Sequence, residues 1–198
     1  MNEFYDRFLS NYFTEEKESH ASSKITNSNV IGWSELFDHY NGCSFNSGMY
    51  RLIQNENLED WGALIYSVFP AFEGRITPFG YDWLGRFFCL DNDRKNNDQQ
   101  LVLLFSPFSN EVLEIPATFY EFHNIVLVDQ SEPALECNLF RQFIKQKNIS
   151  RIALDQCAEL SVPMYLGGSF TISNMDLVEL KFYWEVTSQI LSCRNSYT

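Results

Sequence analysis

Phe79-Gly80-Tyr81-Asp82-Trp83-Leu84-Gly85-Arg86-Phe87-Phe88-Cys89-Leu90 leads into the polar run Asp91-Asn92-Asp93-Arg94-Lys95-Asn96-Asn97-Asp98 and then into Gln100-Leu101-Val102-Leu103-Leu104-Phe105. Two strand-like runs, Tyr81 to Leu90 and Gln100 to Phe105, thus flank a loop-forming segment, the pattern of a hairpin. Ser106-Pro107-Phe108-Ser109-Asn110 supplies a second turn, and Glu111 to Ile115 a third strand. Side chains alternate along a strand, so Tyr81, Trp83 and Phe87 are expected on one buried face, with Asp82 and Arg86 sharing the other. An Asp–Arg pair among aromatics has two readings, a desolvated structural ion pair or a pair facing a ligand.

Helical spacing surrounds this β centre. Phe4, Phe8 and Tyr12, with Tyr5, Leu9 and Phe13 beside them, form an N-terminal helical stripe that ends in the Ser- and Asn-rich segment His20 to Asn29. A short helix from Ser34 to Tyr40 stops at Asn41-Gly42, and Gly48 to Ile53 has strand composition. Asn57 is positioned to cap a helix carrying Leu58, Trp61, Ile65 and Val68, which Pro70 closes. Thr118-x-x-Glu121 has the form of a capping box, with Phe119, Phe122 and Val126 following. Ser131 is placed to cap a helix with Pro133 in its first turn and Leu135, Leu139 and Phe143 on one face. Arg151 to Tyr165 reads as a strand before a Gly167-Gly168 turn. A last helix spans Leu180 to Leu191, although Phe182, Trp184 and Val186 also alternate as a strand would. The order is α+β: an antiparallel or mixed central sheet flanked by helices, a single unit of two subregions, residues 1–75 mostly helical and 76–198 mixed.

The charge balance narrows function. Fourteen basic against 26 acidic residues give a net charge of −12, and such a surface repels phosphate backbones, so nucleic acid is not expected as a direct ligand. Aromatic residues make up 16% of the chain, enough to build the core from Phe. The apolar runs are far shorter than the ~20 residues of a membrane span, and Met1 to Asp6 lacks the basic start of a secretory signal. Cys43, Cys89, Cys137, Cys157 and Cys193 have no metal or disulfide spacing and read as reduced thiols, which points to the cytoplasm.

No catalytic constellation emerges, so no enzyme, metal or cofactor is expected. His20, His39 and His123 are isolated from one another, and Asp91-x-Asp93 fails as a calcium loop because Lys95 and Val102 occupy ligand positions. Gly167-Gly168-Ser169 lacks the Lys of a phosphate cradle and reads as a tight turn. Glu111 and Glu114 face opposite sides of a strand and make no carboxylate pair.

Three blocks carry a resemblance. Phe79 to Asp91, Leu113-Glu114-Ile115-Pro116-Ala117-Thr118-Phe119-Tyr120-Glu121-Phe122-His123-Asn124, and Val162-Pro163-Met164-Tyr165-Leu166-Gly167-Gly168 with Asn174-Met175 and Tyr183-Trp184-Glu185 resemble the type VI secretion immunity proteins that are paired with DNase toxins. The resemblance runs in order from about Gly32 and implies a GAD-like N-terminal part (1–75) and an immunity-type C-terminal domain (76–198). Within it, Phe79, Gly80, Asp82, Trp83, Gly85, Arg86, Pro116, His123, Pro163, Gly167, Gly168 and Trp184 are motif residues, none of them catalytic. The sequence departs from the family at Ser106–Asn110 and Ala158–Ser161. The implied function is a cytoplasmic antitoxin that binds and occludes a basic, nuclease-like toxin. Candidate toxin-facing carboxylates are Glu15, Glu16 and Glu18; Glu56, Glu59 and Asp60; and Asp91, Asp93 and Asp98. The alternatives are a small enzyme using Asp82, Arg86 and His123, or an adaptor within a larger complex.

Overall fold

A seven-stranded antiparallel sheet is assembled in chain order: β1 (Thr14–Lys17), β2 (Cys43–Phe45), β3 (Tyr50–Leu52), β4 (Ile76–Asp82), β5 (Phe87–Asn96), β6 (Gln99–Ser106) and β7 (Glu111–Thr118). The computed structural model describes residues 3–17 and 29–195. Register sorts the sheet's side chains onto two faces. Arg51 pairs with Tyr81, Tyr81 with Phe87 and Phe87 with Phe105, while Leu52, Gly80, Phe88 and Leu104 line up on the opposite face.

Both faces are covered by helices, which explains why β4 to β6 are apolar on both sides rather than alternating. On the Phe88 face lie α1 (Asp6–Asn11), α2 (Trp33–Tyr40), and a continuous helical run of α4 (Phe119–Glu121), a π turn (Phe122–Val126) and α5 (Leu127–Asp129). Phe122 packs on Phe88 at 4.7 Å and Trp33 on Phe119 at 5.1 Å. On the Phe87 face lie α3 (Leu58–Val68) and α8 (Leu180–Asn195), with Trp61 and Trp184 5.1 and 5.2 Å from Phe87. At one end of the sheet, α6 (Ser131–Leu135) and α7 (Cys137–Lys147) enclose Trp83, whose ring lies 5.5 Å from both Phe140 and Phe143. β8 (Gln156–Leu160) and β9 (Met175–Glu179) form a small antiparallel sheet beside it. Among the described residues no helix is long and apolar enough to cross a membrane.

The described residues up to Phe72 are mainly helical, yet the three strands among them belong to the same sheet, since β3 pairs with β4 across the 75/76 boundary. The α+β class and its flanking helices hold. So does the capping box: Thr118 Oγ1 accepts from the Glu121 N–H, and Glu121 accepts from the Thr118 N–H at 2.8 Å.

Several local expectations are corrected. The run Tyr81 to Leu90 is two strands, because Asp82 Oδ1 accepts from the Leu84 and Arg86 N–H groups and Gly85 takes φ 71°, closing a tight turn. Asp91 to Asp98 is not a loop. β5 continues to Asn96, and only Asn97 and Asp98 turn, both at positive φ (47° and 63°), a conformation these two residue types tolerate. Pro116 lies inside β7, which is possible because β7 is an edge strand and needs no further partner there. Ser131 is the first residue of α6 rather than its cap. Glu136, at φ 53°, separates Leu135 from α7, whose buried face is Cys137, Phe140 and Phe143. Only Gln156–Leu160 of the stretch Arg151 to Tyr165 is strand. The N-terminal buried stripe is Tyr5, Phe8 and Tyr12, with Phe4 and Phe13 exposed. Glu18 and His20 lie outside the described residues.

Candidate functional site

The turn that links β4 to β5 is densely hydrogen-bonded. Asp82 is fully buried. Its Oδ1 holds two backbone N–H groups at 3.0 Å, and its Oδ2 accepts from Arg86 Nε at 2.7 Å. Arg86 Nη2 continues to the Ala134 carbonyl at 2.8 Å. Burial lifts the Asp82 carboxyl above its usual range, opposed by Arg86 and the two N–H groups. Trp83 donates its indole N–H to the Leu135 carbonyl at 2.7 Å, and Trp184 donates its own to Gly85 at 2.8 Å. A Cβ on Gly85 would lie 3.0 Å from Cys157 Sγ. The Asp82–Arg86 pair therefore forms across a turn, not along one strand face, and its bonds go to the protein's own groups. The pair ties the sheet to α6, while the Gly85 and Trp83 carbonyls of the same turn accept from Trp184 of α8 and from the Ala158 N–H of β8.

His123 is equally enclosed. Its Nδ1 lies 2.8 Å from the Phe119 carbonyl, which can only accept, so Nδ1 carries the proton and Nε2 accepts from the Tyr50 hydroxyl at 2.9 Å. Burial among aromatic rings lowers its pKa to about 3, with the Phe119 bond opposing, and burial raises that of Tyr50. The remaining motif residues differ in their surroundings. Phe79 is buried against Phe119 and Phe122. Gly80 leaves room for Tyr50, whose hydroxyl would lie 2.6 Å from an added Cβ. Pro116 is exposed on β7. Pro163 accepts from the N–H groups of Leu166 and Gly168, where Gly167 takes φ 91° and a Cβ on Gly168 would strike the Val162 carbonyl.

The acidic candidates divide. Asp91 is fully buried and not available to a partner: Arg75 bonds both its oxygens at 2.7 Å. Burial opposes its ionisation, but those bonds and the Asp93 N–H bring its pKa below the usual range. Exposed Asp93 also pairs with Arg75, at 3.2 Å, and Asp98 stands at the exposed hairpin tip. Glu15 and Glu16 fall on β1. Glu56, Glu59 and Asp60 are all exposed at the start of α3. The Asp93–Asp98 tip and the α3 cluster do not form one face. Trp61 packs on Phe87, at the other end of the 10-residue β5 from the tip, roughly 30 Å at the rise of a strand.

The start of α3 opens onto a cleft of about 680 Å³, which runs between α3 and α8. Asn57, Asp60, Trp61 and Leu64 line one wall and Lys181, Glu185 and Ser188 the other, with Ser188 Oγ bonded to the Ser67 carbonyl at 3.0 Å. Trp61 is half-buried, resting on Phe87 and Tyr81. A smaller recess of about 100 Å³, lined by Gln54, Tyr81 and Asp155, shares Asn57 and Trp61 with the cleft. The size and the mix of apolar wall with a few charged groups suit a binding site. Sequence reasoning does not single out Lys181 and Glu185. Their i, i+4 spacing is legible, but only with α8 assigned firmly as a helix. Among the described residues there is no group of three or more His, Cys, Asp or Glu able to hold a metal.

No family model matches the sequence, and no curated protein matches it significantly. Among solved structures the chain is similar to that described as "Crystal structure of Atu4351 from Agrobacterium tumefaciens", at 17% identity and TM-score 0.68, covering 93% of this chain and 88% of that one. That likeness extends the α+β fold over nearly the whole chain.

Proposed function

We propose that this chain is an immunity-type protein that binds a basic toxin domain and blocks it by occlusion, without chemistry of its own. The observation that carries the proposal is the exposed acidic start of α3, where Asp60 lines the α3–α8 cleft and Glu56 and Glu59 stand beside it in the chain. Carboxylates there favour encounter with a basic surface, and the cleft offers a concavity in which a contact can be desolvated. The three sequence blocks quoted above and the net charge of −12 support the same reading. The enzyme alternative finds no support at Asp82, Arg86 and His123, whose polar atoms bond the protein itself. Co-expression with the product of the neighbouring gene provides the test. Growth rescue and a stable complex are expected. A harmless neighbouring product, or a toxic one that this protein neither binds nor neutralises, refutes the immunity reading.

A further inference from the structure

We infer that the α3–α8 cleft is an arginine receptor, taking one exposed arginine side chain of the protein partner as its anchor. The inference rests on the proposed binding function and adds the chemistry of the contact. The charges decide the sign of the occupant. Asp60 and Glu185 line opposite walls, neither in an ion pair among the described residues, and Lys181 is the single cation beside them. Glu56 and Glu59, exposed next to Asp60 at the start of α3, add to the negative potential of that end of the helix. A cationic head is thus favoured over an anionic or neutral one.

The walls decide between the two long cations. Trp61 and Leu64 offer apolar surface for an alkyl stem, and part of the Trp61 ring faces the cleft. A guanidinium stacks on an indole and bonds two carboxylates through its planar fork, whereas an ammonium is a strongly hydrated point charge. The cleft is also far larger than one side chain requires, so the arginine enters with its flanking backbone, and Asn57, Ser67, Ser188 and Gln189 add polar side chains to the lining around it.

The test uses the full chain and the capped peptide Gly-Arg-Gly, with Gly-Lys-Gly and Gly-Glu-Gly as comparisons, followed by backbone and indole N–H shifts in two-dimensional NMR. Saturable shifts are expected at the Trp61 indole and at residues 57–67 and 181–189. Arginine should bind several-fold more tightly than lysine, and glutamate should give no response. The double variant Asp60→Asn with Glu185→Gln should weaken arginine binding at least tenfold, and Trp61→Leu several-fold, with melting temperatures close to the parent's. The assignment is overturned by unsaturable or scattered shifts, by an equal response to glutamate or lysine, or by undiminished binding in the double variant. The two proposals fail separately. An arginine response here with no capture of the neighbouring product removes the immunity reading alone; capture that ignores all three cleft substitutions removes the arginine receptor alone.

Discussion

The chain contains the dipeptide Asp-Trp twice, as Asp60-Trp61 and Asp82-Trp83, and the fold uses the two copies in opposite ways. Asp82 and Trp83 are both fully buried, and each finds its hydrogen-bond partners inside the molecule. Asp60 is exposed and Trp61 only half-buried, beside a cleft. The difference lies in the residues on the C-terminal side of each pair. After Trp83, Gly85 at φ 71° lets the chain reverse, so that backbone N–H groups and Arg86 fold back onto the carboxylate. After Trp61 the helix simply continues, and a carboxylate in a first turn points to solvent, where the helix dipole favours it. Residue types that stand out in a sequence therefore mark scaffold where a turn can satisfy them, and contact surface where it cannot.

Substitution separates the two copies most sharply. Asp82→Ala leaves the Arg86 guanidinium buried without its carboxylate and is expected to cost about 3–5 kcal/mol. Trp83→Ala should cost a similar ~3–5 kcal/mol through the cavity it opens. Asp60→Ala, on an exposed position, should stay within about 0.5 kcal/mol. Denaturant melts of the three variants check this, and comparable losses at Asp60 and Asp82 would erase the distinction.

A second, smaller effect extends the scaffold reading to His123. Its folded pKa of about 3 lies below the ordinary 6.5, so between those values the unfolded chain holds more protons than the folded one. Its contribution is complete above pH 6.5 and is lost as pH falls towards 3, by about 1.4 kcal/mol per unit. Acids with raised values, the buried Asp82 and the half-buried Glu136 and Glu159, act in the opposite sense, but they are common to parent and variant. The stability difference between the parent and His123→Gln should therefore narrow steadily from pH 6.5 to 4. A constant difference across that range would place a charged or solvated imidazole at this position.

The smallest effect on the scaffold side is that of Gly85→Ala, expected to cost about 1–3 kcal/mol for a side chain held at positive φ, with Cys157 Sγ 3.0 Å from the new Cβ. A chemical-denaturation midpoint equal to the parent's would show that the turn is not what holds Asp82 in place.

The sheet's centre is readable in the sequence because β5 and β6 are apolar on both faces and their turn signals are local. The same pattern reads as one strand through Asp82 to Arg86, since the closure depends on a carboxylate reaching back to N–H groups two and four residues on. β1 and β2 leave no such signal: each is short, and β1 is held only by pairing to β2, distant in sequence, while β2 joins β3 through a tight turn. Asp91 reads as surface because it heads a polar run, whereas Arg75, sixteen residues earlier, draws it inside. Glu56, Glu59 and Asp60 are legible as exposed charge. The cleft beside them is not, because it exists only where α8, distant in sequence, comes to lie along α3.

The central claim is that the α3 copy of Asp-Trp serves contact while the turn copy serves the fold. Its most direct measurement is the association rate of the neighbouring gene's product with the parent and with the variant Glu56→Gln/Glu59→Gln/Asp60→Asn, over a range of salt. The account predicts association at least tenfold slower in the variant at low salt, a difference that shrinks as screening shortens to about 8 Å at physiological ionic strength, and an unchanged melting temperature. Equal rates at every salt concentration, with the complex still formed, would place the contact elsewhere and contradict it.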